Sequence, residues 1–367
     1  MSVVRRQPGF WLAVPLVSLL LPACQMPPSQ AREDANRRWN AARAQVKVKL
    51  AADQFSVGNV PAAAGELREA QRLDPANPAL APLQARIWLA EGNVTAAAEL
   101  LEQTRLTGKP QAEIEYLLGV VRQQQQQWEA ALEAYDRAVE LDPAEIAYLL
   151  AATQARLQLG QTREALNHLQ AAEPRFGWTS AYQAALAECC EQTGDWSAAV
   201  SAWQRAAAVP DAAPALRERL AVALYRAGRY TEAVPLLREL LDEGADEADV
   251  WRLTLVRCYL ATGQPAAARS HIELLLRQRP DDVRTLRLLA HSLAAGGELG
   301  SALRAAQRAL AANTQDRETL ELVAALAWKA GDRELAGATA SRLLQTDPGN
   351  VVARHLLARL NRSGSSR

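Results

Sequence analysis

The chain has few aromatic residues, few lysines, few histidines and no net charge. Lysine plus arginine number 41, aspartate plus glutamate also number 41, and aromatic residues make up 5% of the 367 residues. Because no sign of charge dominates, nothing in the balance points to a nucleic-acid partner. Alanine, the strongest helix former, is abundant. The composition therefore predicts many thin helices in place of one bulky aromatic core.

The sequence also lacks the common motifs of catalysis and metal binding. No G-x-S-x-G, P-loop or G-x-G-x-x-G segment occurs. The four histidines are too far apart to match any metal-ligand spacing; they are His168, His271, His291 and His355. We therefore predict no enzymatic activity, no metal, no cofactor and no small-molecule substrate.

Cysteine is scarce, and two of the four cysteines are adjacent, Cys189 and Cys190. No C-x-x-C pair is present, and neighbouring cysteines on a helix do not easily close a disulfide. Cys190 and Cys258 occupy apolar slots of a helical pattern. We predict that these cysteines are buried as small apolar side chains, with a redox role as the alternative.

The first 24 residues have the layout of a secretory signal, with Arg5 and Arg6 before an apolar stretch too short to span a membrane. The stretch ends in Leu21-Pro22-Ala23-Cys24, which resembles the lipobox of bacterial lipoproteins. The resemblance implies removal of residues 1–23 and lipidation of Cys24, and Gln25 in place of Asp implies the outer membrane. An ordinary secreted protein and a cytosolic protein are the alternatives. Residues 24–43 are then a tether, extended from Met26 to Gln30, and the start of the first helix.

A period of 34 residues runs through the rest of the chain. Glycines recur at this spacing, at twice it, and once at 35 residues: Gly58, Gly92, Gly160, Gly194, Gly228, Gly263, Gly297 and Gly331. With this glycine as position 15, position 20 is alanine in all nine repeats: Ala63, Ala97, Ala131, Ala165, Ala199, Ala233, Ala268, Ala302 and Ala336. The pattern predicts two helices per repeat, with the glycine ending the first helix and the alanine allowing the two to cross closely.

This pattern resembles the tetratricopeptide repeat, a helix–turn–helix unit of the same length. The resemblance implies an all-α, right-handed superhelical solenoid of about nine repeats over residues 44–350. The predicted repeats are 44–77, 78–111, 112–145, 146–179, 180–213, 214–247, 249–282, 283–316 and 317–350. Residues 351–367 are predicted to be a capping helix and tail.

The resemblance also implies a binding groove lined by the first helix of each repeat, mainly through positions 2, 5, 9 and 12. The residues predicted to line it and bind a partner are Tyr116, Leu150, Tyr225, Leu253, Arg257, Arg284, Arg287, His291 and Trp328. We expect the groove to pass from apolar residues, through an acidic strip with Glu188 and Glu191, to a basic and aromatic patch. A solvated surface without a dedicated ligand is the alternative.

The expected function is that of a lipid-anchored adaptor on the outer membrane, facing the periplasm. Its partners would be proteins of an envelope assembly such as a pilus or a secretion complex. The alternative is an accessory protein of polysaccharide export or carbohydrate handling. Sugar binding favours aromatic rings beside carboxylates, and the candidate pairs are Trp328 with Glu321 and Tyr225 with Glu218.

Overall fold

The structure, a computed structural model, describes residues 28–208, 213–244 and 248–364. Helices joined by turns and short loops make up these described residues, and no strand occurs among them. The helices are α1 Pro28–Ser56, α2 Val60–Leu73, α3 Leu80–Ala90, α4 Val94–Thr107, α5 Ala112–Gln124, α6 Trp128–Leu141, α7 Ile146–Gln158, α8 Thr162–Phe176, α9 Ser180–Thr193, α10 Trp196–Ala207, α11 Pro214–Arg226, α12 Tyr230–Asp242, α13 Ala248–Ala261, α14 Pro265–Gln278, α15 Val283–Ala295, α16 Leu299–Ala312, α17 Arg317–Ala330, α18 Arg333–Thr346 and α19 Val351–Gly364.

The turn inside each repeat needs a residue in the left-handed region. All eight glycines at position 15 have a positive φ, from 71° at Gly263 to 83° at Gly331. In the third repeat Gln126 occupies this position, and it is the one non-glycine residue with a positive φ, 60°, in the part of the chain that the structure describes. Because a side chain is strained in this conformation, the turn itself selects glycine, and Gln126 departs from that selection.

The alanines at position 20 explain how the two helices of a repeat approach each other. All nine are fully buried, and the helices of a repeat contact each other along their lengths, as α9 and α10 do. Alanine loses no side-chain entropy in a helix and adds little bulk at the crossing. The sequence therefore specifies a closely packed helix pair through one small residue per repeat.

The chain divides into two compact bodies, which we call the N-terminal body, residues 1–121, and the C-terminal body, residues 122–367. The boundary falls inside α5, within the third predicted repeat. The described part of the N-terminal body contains α1 to α4 and most of α5. The C-terminal body contains α6 to α19 and has the larger apolar core, which includes Trp203, Leu237, Leu255 and Ile272.

The two chain ends differ from an internal repeat. The helix α1 begins at Pro28, so the prediction of an extended tether is wrong for residues 28–30; proline is well tolerated in a first helical turn. Cys24 and the signal-like segment lie outside the described residues. At the other end, Ala353 and Leu356 of α19 pack against Leu320 and Leu343 of the last repeat. Within the described residues, no helix has both the length and the apolar character needed to cross a membrane.

Candidate partner-binding surface

In the C-terminal body, the first helices of successive repeats lie beside one another. The helix α7 contacts α9, and α13, α15, α17 and α19 follow as a contacting series. Residues at the same repeat position on these helices therefore form rows that continue from one repeat to the next. The predicted groove residues Leu253, Arg257, Arg284, His291 and Trp328 all lie on α13, α15 and α17.

The predicted groove residues differ in how far they reach solvent. Arg257, Arg284 and His291 are exposed. The other predicted groove residues are half-buried: Tyr116 in the N-terminal body, and Leu150, Tyr225, Leu253, Arg287 and Trp328 in the C-terminal body. Although His291 reaches solvent, desolvation by the surrounding atoms lowers its pKa, and the charge of Arg287 lowers the pKa further. Arg257 and Arg284 are therefore the predicted groove residues that are exposed and charged at neutral pH, and neither forms an ion pair with another described residue.

Arg287 is held by carboxylates of the next repeat. Its Nη1 lies 2.6 Å from Oδ2 of Asp316, and its Nη2 lies 2.5 Å from Oε2 of Glu318. Desolvation would raise the pKa of Asp316, but hydrogen bonds from Thr319 and the charge and hydrogen bond of Arg287 outweigh it and lower the pKa. The predicted basic patch is therefore smaller than expected, because Arg287 links α15 to the start of α17.

The predicted acidic strip is partly neutralised by a residue that the sequence analysis did not single out, Arg219. Its Nη2 lies 2.8 Å from Oε2 of Glu191 and 3.9 Å from Oε1 of Glu188. Its guanidinium also lies 5.2 Å from the centroid of the Trp203 ring, while Nε1 of Trp203 donates a 2.7 Å hydrogen bond to Glu191. No local sequence pattern predicts this pairing, because Arg219 is 28 residues from Glu191 along the chain.

Trp328 lines a cavity of about 370 Å³ at the C-terminal end of the row. The cavity is bordered by Val351, Val352, His355 and Arg359 of α19. Val351 is 70% exposed and Val352 is 52% exposed, so apolar surface faces solvent beside two basic side chains. The capping helix therefore extends the predicted aromatic and basic patch beyond the last complete repeat.

The two aromatic–carboxylate pairs proposed for sugar binding are partly engaged elsewhere. Glu321 accepts a 2.6 Å hydrogen bond from Nδ2 of Asn350 and pairs with Arg317 at 3.3 Å. The Tyr225 ring lies 5.8 Å from the ring of Tyr230 in a tilted arrangement. These contacts fix Glu321 and Tyr225 in place and leave less of each available to a sugar.

The three cysteines of the C-terminal body are free thiols in the interior. Burial raises the pKa of Cys189 to about 12 and that of Cys258 to about 11. A thiol must ionise to act as a nucleophile or a metal ligand. Within the described residues no group of histidine, cysteine, aspartate and glutamate side chains could hold a metal ion.

A larger cleft lies in the N-terminal body, between the second helices α2 and α4 and over α3. Its volume is about 890 Å³. Apolar side chains such as Leu67, Leu100 and Trp88 line it, with amides of Gln71 and Gln84 among them. The sequence analysis missed this cleft because its α3 residues, such as Gln84 and Trp88, lie outside the predicted groove positions, and the others come from the second helices and the helix ends.

Comparison with known proteins bears on the whole repeat region. Three family profiles described as tetratricopeptide repeat match the chain. The first matches residues 224–291, the second matches residues 48–113, 150–217 and 191–249, and the third matches residues 112–145. The matched segments lie in both bodies.

A curated relative and two solved structures are also similar. Cellulose synthase operon protein C of Pseudomonas fluorescens (strain SBW25) is 26% identical over 345 residues, which are 88% of this chain and 27% of that protein, so the chain spans about a quarter of the relative's length. The PilF structure of Pseudomonas aeruginosa is 23% identical, covers 59% of this chain and 98% of its own, and has a TM-score of 0.42. The C-terminal part of a TPR repeat-containing protein from Cytophaga hutchinsonii is 16% identical, covers 75% and 99%, and has a TM-score of 0.46.

Proposed function

Since the chain is a tetratricopeptide repeat protein, we propose that it is an adaptor that holds protein partners of the bacterial envelope while a lipid on Cys24 fixes it to the outer membrane. The proposal rests on three features. The family is one of repeat scaffolds, the row of first helices presents free cations and aromatic rings, and the first 24 residues resemble a lipoprotein signal. The mechanism is steric and multivalent, since several partner segments can be held along one scaffold.

The single observation that supports partner binding most strongly is the row on α13, α15, α17 and α19. Arg257 and Arg284 are exposed there and form no ion pair with another described residue. Trp328 lies beside exposed valines at the end of the row. Tryptophan and arginine are enriched among the residues that dominate binding energy at protein interfaces. A partner segment with acidic and apolar side chains fits this surface.

The test is crosslinking in the native host, followed by purification and mass spectrometry. It compares the wild type with a groove variant, Arg257→Ala with Arg284→Ala and Trp328→Ala, and with a matched control. The control, Arg277→Ala with Arg333→Ala, removes two exposed arginines outside the predicted groove positions. We expect a discrete set of envelope proteins that is lost only in the groove variant. Equal recovery from all three forms would contradict the assignment of the surface.

The anchoring half of the proposal has its own test. The variant Cys24→Ser removes the lipid attachment site, so the protein should leave the membrane fraction while it still binds its partners in solution. The cellular output should fall because the partners are no longer held at the membrane. Incorporation of labelled palmitate into wild type and not into Cys24→Ser checks the lipid directly. Normal output from the Cys24→Ser variant would exclude a role for the anchor.

A second candidate is a scaffold beside a polysaccharide synthase or exporter, favoured by the match to cellulose synthase operon protein C. The chain spans 27% of that relative, so the relative's role in its operon is not transferred with the match. Calorimetric titration with cello-oligosaccharides separates sugar binding from protein binding. Binding that is lost in Trp328→Ala would support this candidate, and absence of heat would leave the protein adaptor.

A further inference from the structure

A polar pocket lies in the C-terminal body between the second helices α12 and α14 and over α13. Its volume is about 440 Å³. Each of the three helices contributes one basic side chain: Arg238 from α12, Arg252 from α13 and His271 from α14. Asp242 of α12 is the one carboxylate among the described lining residues. The pocket is outside the row of first-helix residues that the proposed function uses.

The two guanidinium groups of this pocket are not neutralised within the described part of the chain. Neither Arg238 nor Arg252 forms an ion pair or a hydrogen bond there, and Asp242 is beyond ion-pair distance from both. By contrast, Arg269 on α14 pairs with Glu298 at 2.7 Å, and Arg219 on α11 pairs with Glu191 at 2.8 Å. Arginine stays protonated in proteins, so two permanent positive charges face one cavity with one carboxylate near them.

His271 lies close enough to Arg238 and Arg252 for their charges to lower its pKa. Its ring stacks on the buried ring of Tyr259, with centroids 5.8 Å apart and an interplanar angle of 23°. Its Nδ1 is buried and has no hydrogen-bond partner among the described residues. Burial lowers the pKa of His271, and the positive charges of Arg252 and Arg238 lower it further. Burial first, and the two positive charges in addition, therefore favour the neutral imidazole.

We propose that this pocket binds an oxyanion, a carboxylate or a phosphate group, between Arg238 and Arg252. The planar fork of donors on a guanidinium matches the geometry of either group and allows two parallel hydrogen bonds. The bound anion offsets the repulsion between the two guanidinium groups. The inference is independent of the proposed function, because Arg238 lies on a second helix and Arg252 lies outside the predicted groove positions of α13, and because it does not require a partner on the first-helix row.

The test is an NMR titration of the histidine ring signals of the full chain, with His271 assigned from the variant His271→Gln. Inorganic phosphate and glutarate are added in parallel, and sodium chloride keeps the ionic strength constant because screening alone moves a histidine pKa. We expect a saturable shift of the His271 signals and a rise in its pKa. The tighter of the two probes identifies whether the natural ligand presents a phosphate or a carboxylate.

The variants Arg238→Ala and Arg252→Ala should each weaken binding about tenfold, since each removes a charge-assisted hydrogen-bond donor. Arg277→Ala is the matched control, because it removes an exposed arginine from α14 that does not line the pocket. Arg238 is exposed, so its substitution tests the site even where loss of the half-buried Arg252 disturbs folding. The absence of a saturable shift with either probe, or an equal shift in Arg238→Ala, would overturn the proposal.

Discussion

The N-terminal cleft and the C-terminal anion pocket occupy equivalent places in the repeat. Each lies between the second helices of two successive repeats and over the first helix of the later one. Position 4 is Ala81 in the cleft and Arg252 in the pocket, and position 23 is Leu100 in the cleft and His271 in the pocket. One backbone therefore builds an apolar cleft of about 890 Å³ in one place and a basic pocket of about 440 Å³ in the other.

The comparison shows that the buried residues that set the helix packing, which we call the frame, and the residues that line the gaps vary independently in this chain. The fully buried alanines at position 20, Ala97 beside the cleft and Ala268 beside the pocket, are the same in both regions. The residues at positions 4 and 23 face a gap that the packing leaves open, so they can change without disturbing the helix crossing. Binding chemistry can thus vary between repeats while the fold stays constant.

The largest effect, a loss of stability, is expected from disturbing the helix crossing that both repeats share. Ala97→Leu and Ala268→Leu each insert a large side chain at a closed helix crossing, so each should lower the free energy of unfolding by about 1–3 kcal/mol. Urea denaturation measures the loss. Ala266→Leu, exposed on the same helix as Ala268, is the control and should change little. Unchanged stability after substitution of one of the two buried alanines would show that the helices pack less closely in that repeat.

The second-largest effect is a change in ligand binding when the cleft is given residues of the anion pocket. Ala81→Arg with Leu100→His gives the cleft the residues of the pocket at positions 4 and 23. An environment-sensitive apolar dye should bind the wild-type cleft and bind the variant about tenfold more weakly, since buried apolar contact is replaced by charge. Fluorescence titration measures this, with Arg252→Ala as the control, because it leaves the cleft intact. Unchanged dye binding in the cleft variant would place the dye elsewhere.

A smaller effect concerns the turn of the third repeat. Gln126→Gly relieves a side chain held at a φ of 60° and should raise the free energy of unfolding by about 1 kcal/mol. The reciprocal change, Gly160→Gln, should lower it by a similar amount. A Cβ at Gly160 would have no heavy atom within 4 Å, so the cost there comes from the backbone alone. Opposite signs for the two substitutions are required; equal signs would contradict the account of the turn.

The smallest effect is a pH dependence confined to the C-terminal body. All four histidines lie there, and burial is the leading cause of the lowered pKa of His168, His271 and His291. As the pH falls through the ordinary histidine pKa of 6.5, the unfolded chain binds protons that the folded chain does not. The free energy of unfolding should therefore fall as the pH drops from neutrality toward the folded pKa values.

Hydrogen exchange at a series of pH values separates the two bodies. Amides of α14 and α15 should lose protection as the pH falls, while those of α2 and α3 should keep it. His271→Gln should reduce the loss in α14, and His355→Gln is the matched control. Equal loss of protection in both bodies would point to groups other than the histidines.

The sequence by itself determined the helices, because their signals are local. A glycine in the left-handed region ends the first helix in eight of the nine repeats, and an alanine lies at every crossing. These two positions repeat often enough to set the period. The burial of Cys190 and Cys258 followed from the same pattern, since both occupy apolar slots. The start of α1 was predicted too late because two prolines indicated an extended segment, although proline also fits a first helical turn.

The tertiary structure alone decided which charges remain free and where cavities form. The sequence predicts both Arg257 and Arg287 as groove residues. In the structure Arg287 forms an ion pair with Asp316 of the next repeat, whereas Arg257 is exposed. Arg219 neutralises Glu191 from 28 residues away, and no local pattern fixes that distance. Ion pairing and cavity volume depend on atoms brought together by helix packing, so the sequence predicts the frame of this protein and only the packed structure shows its binding surfaces.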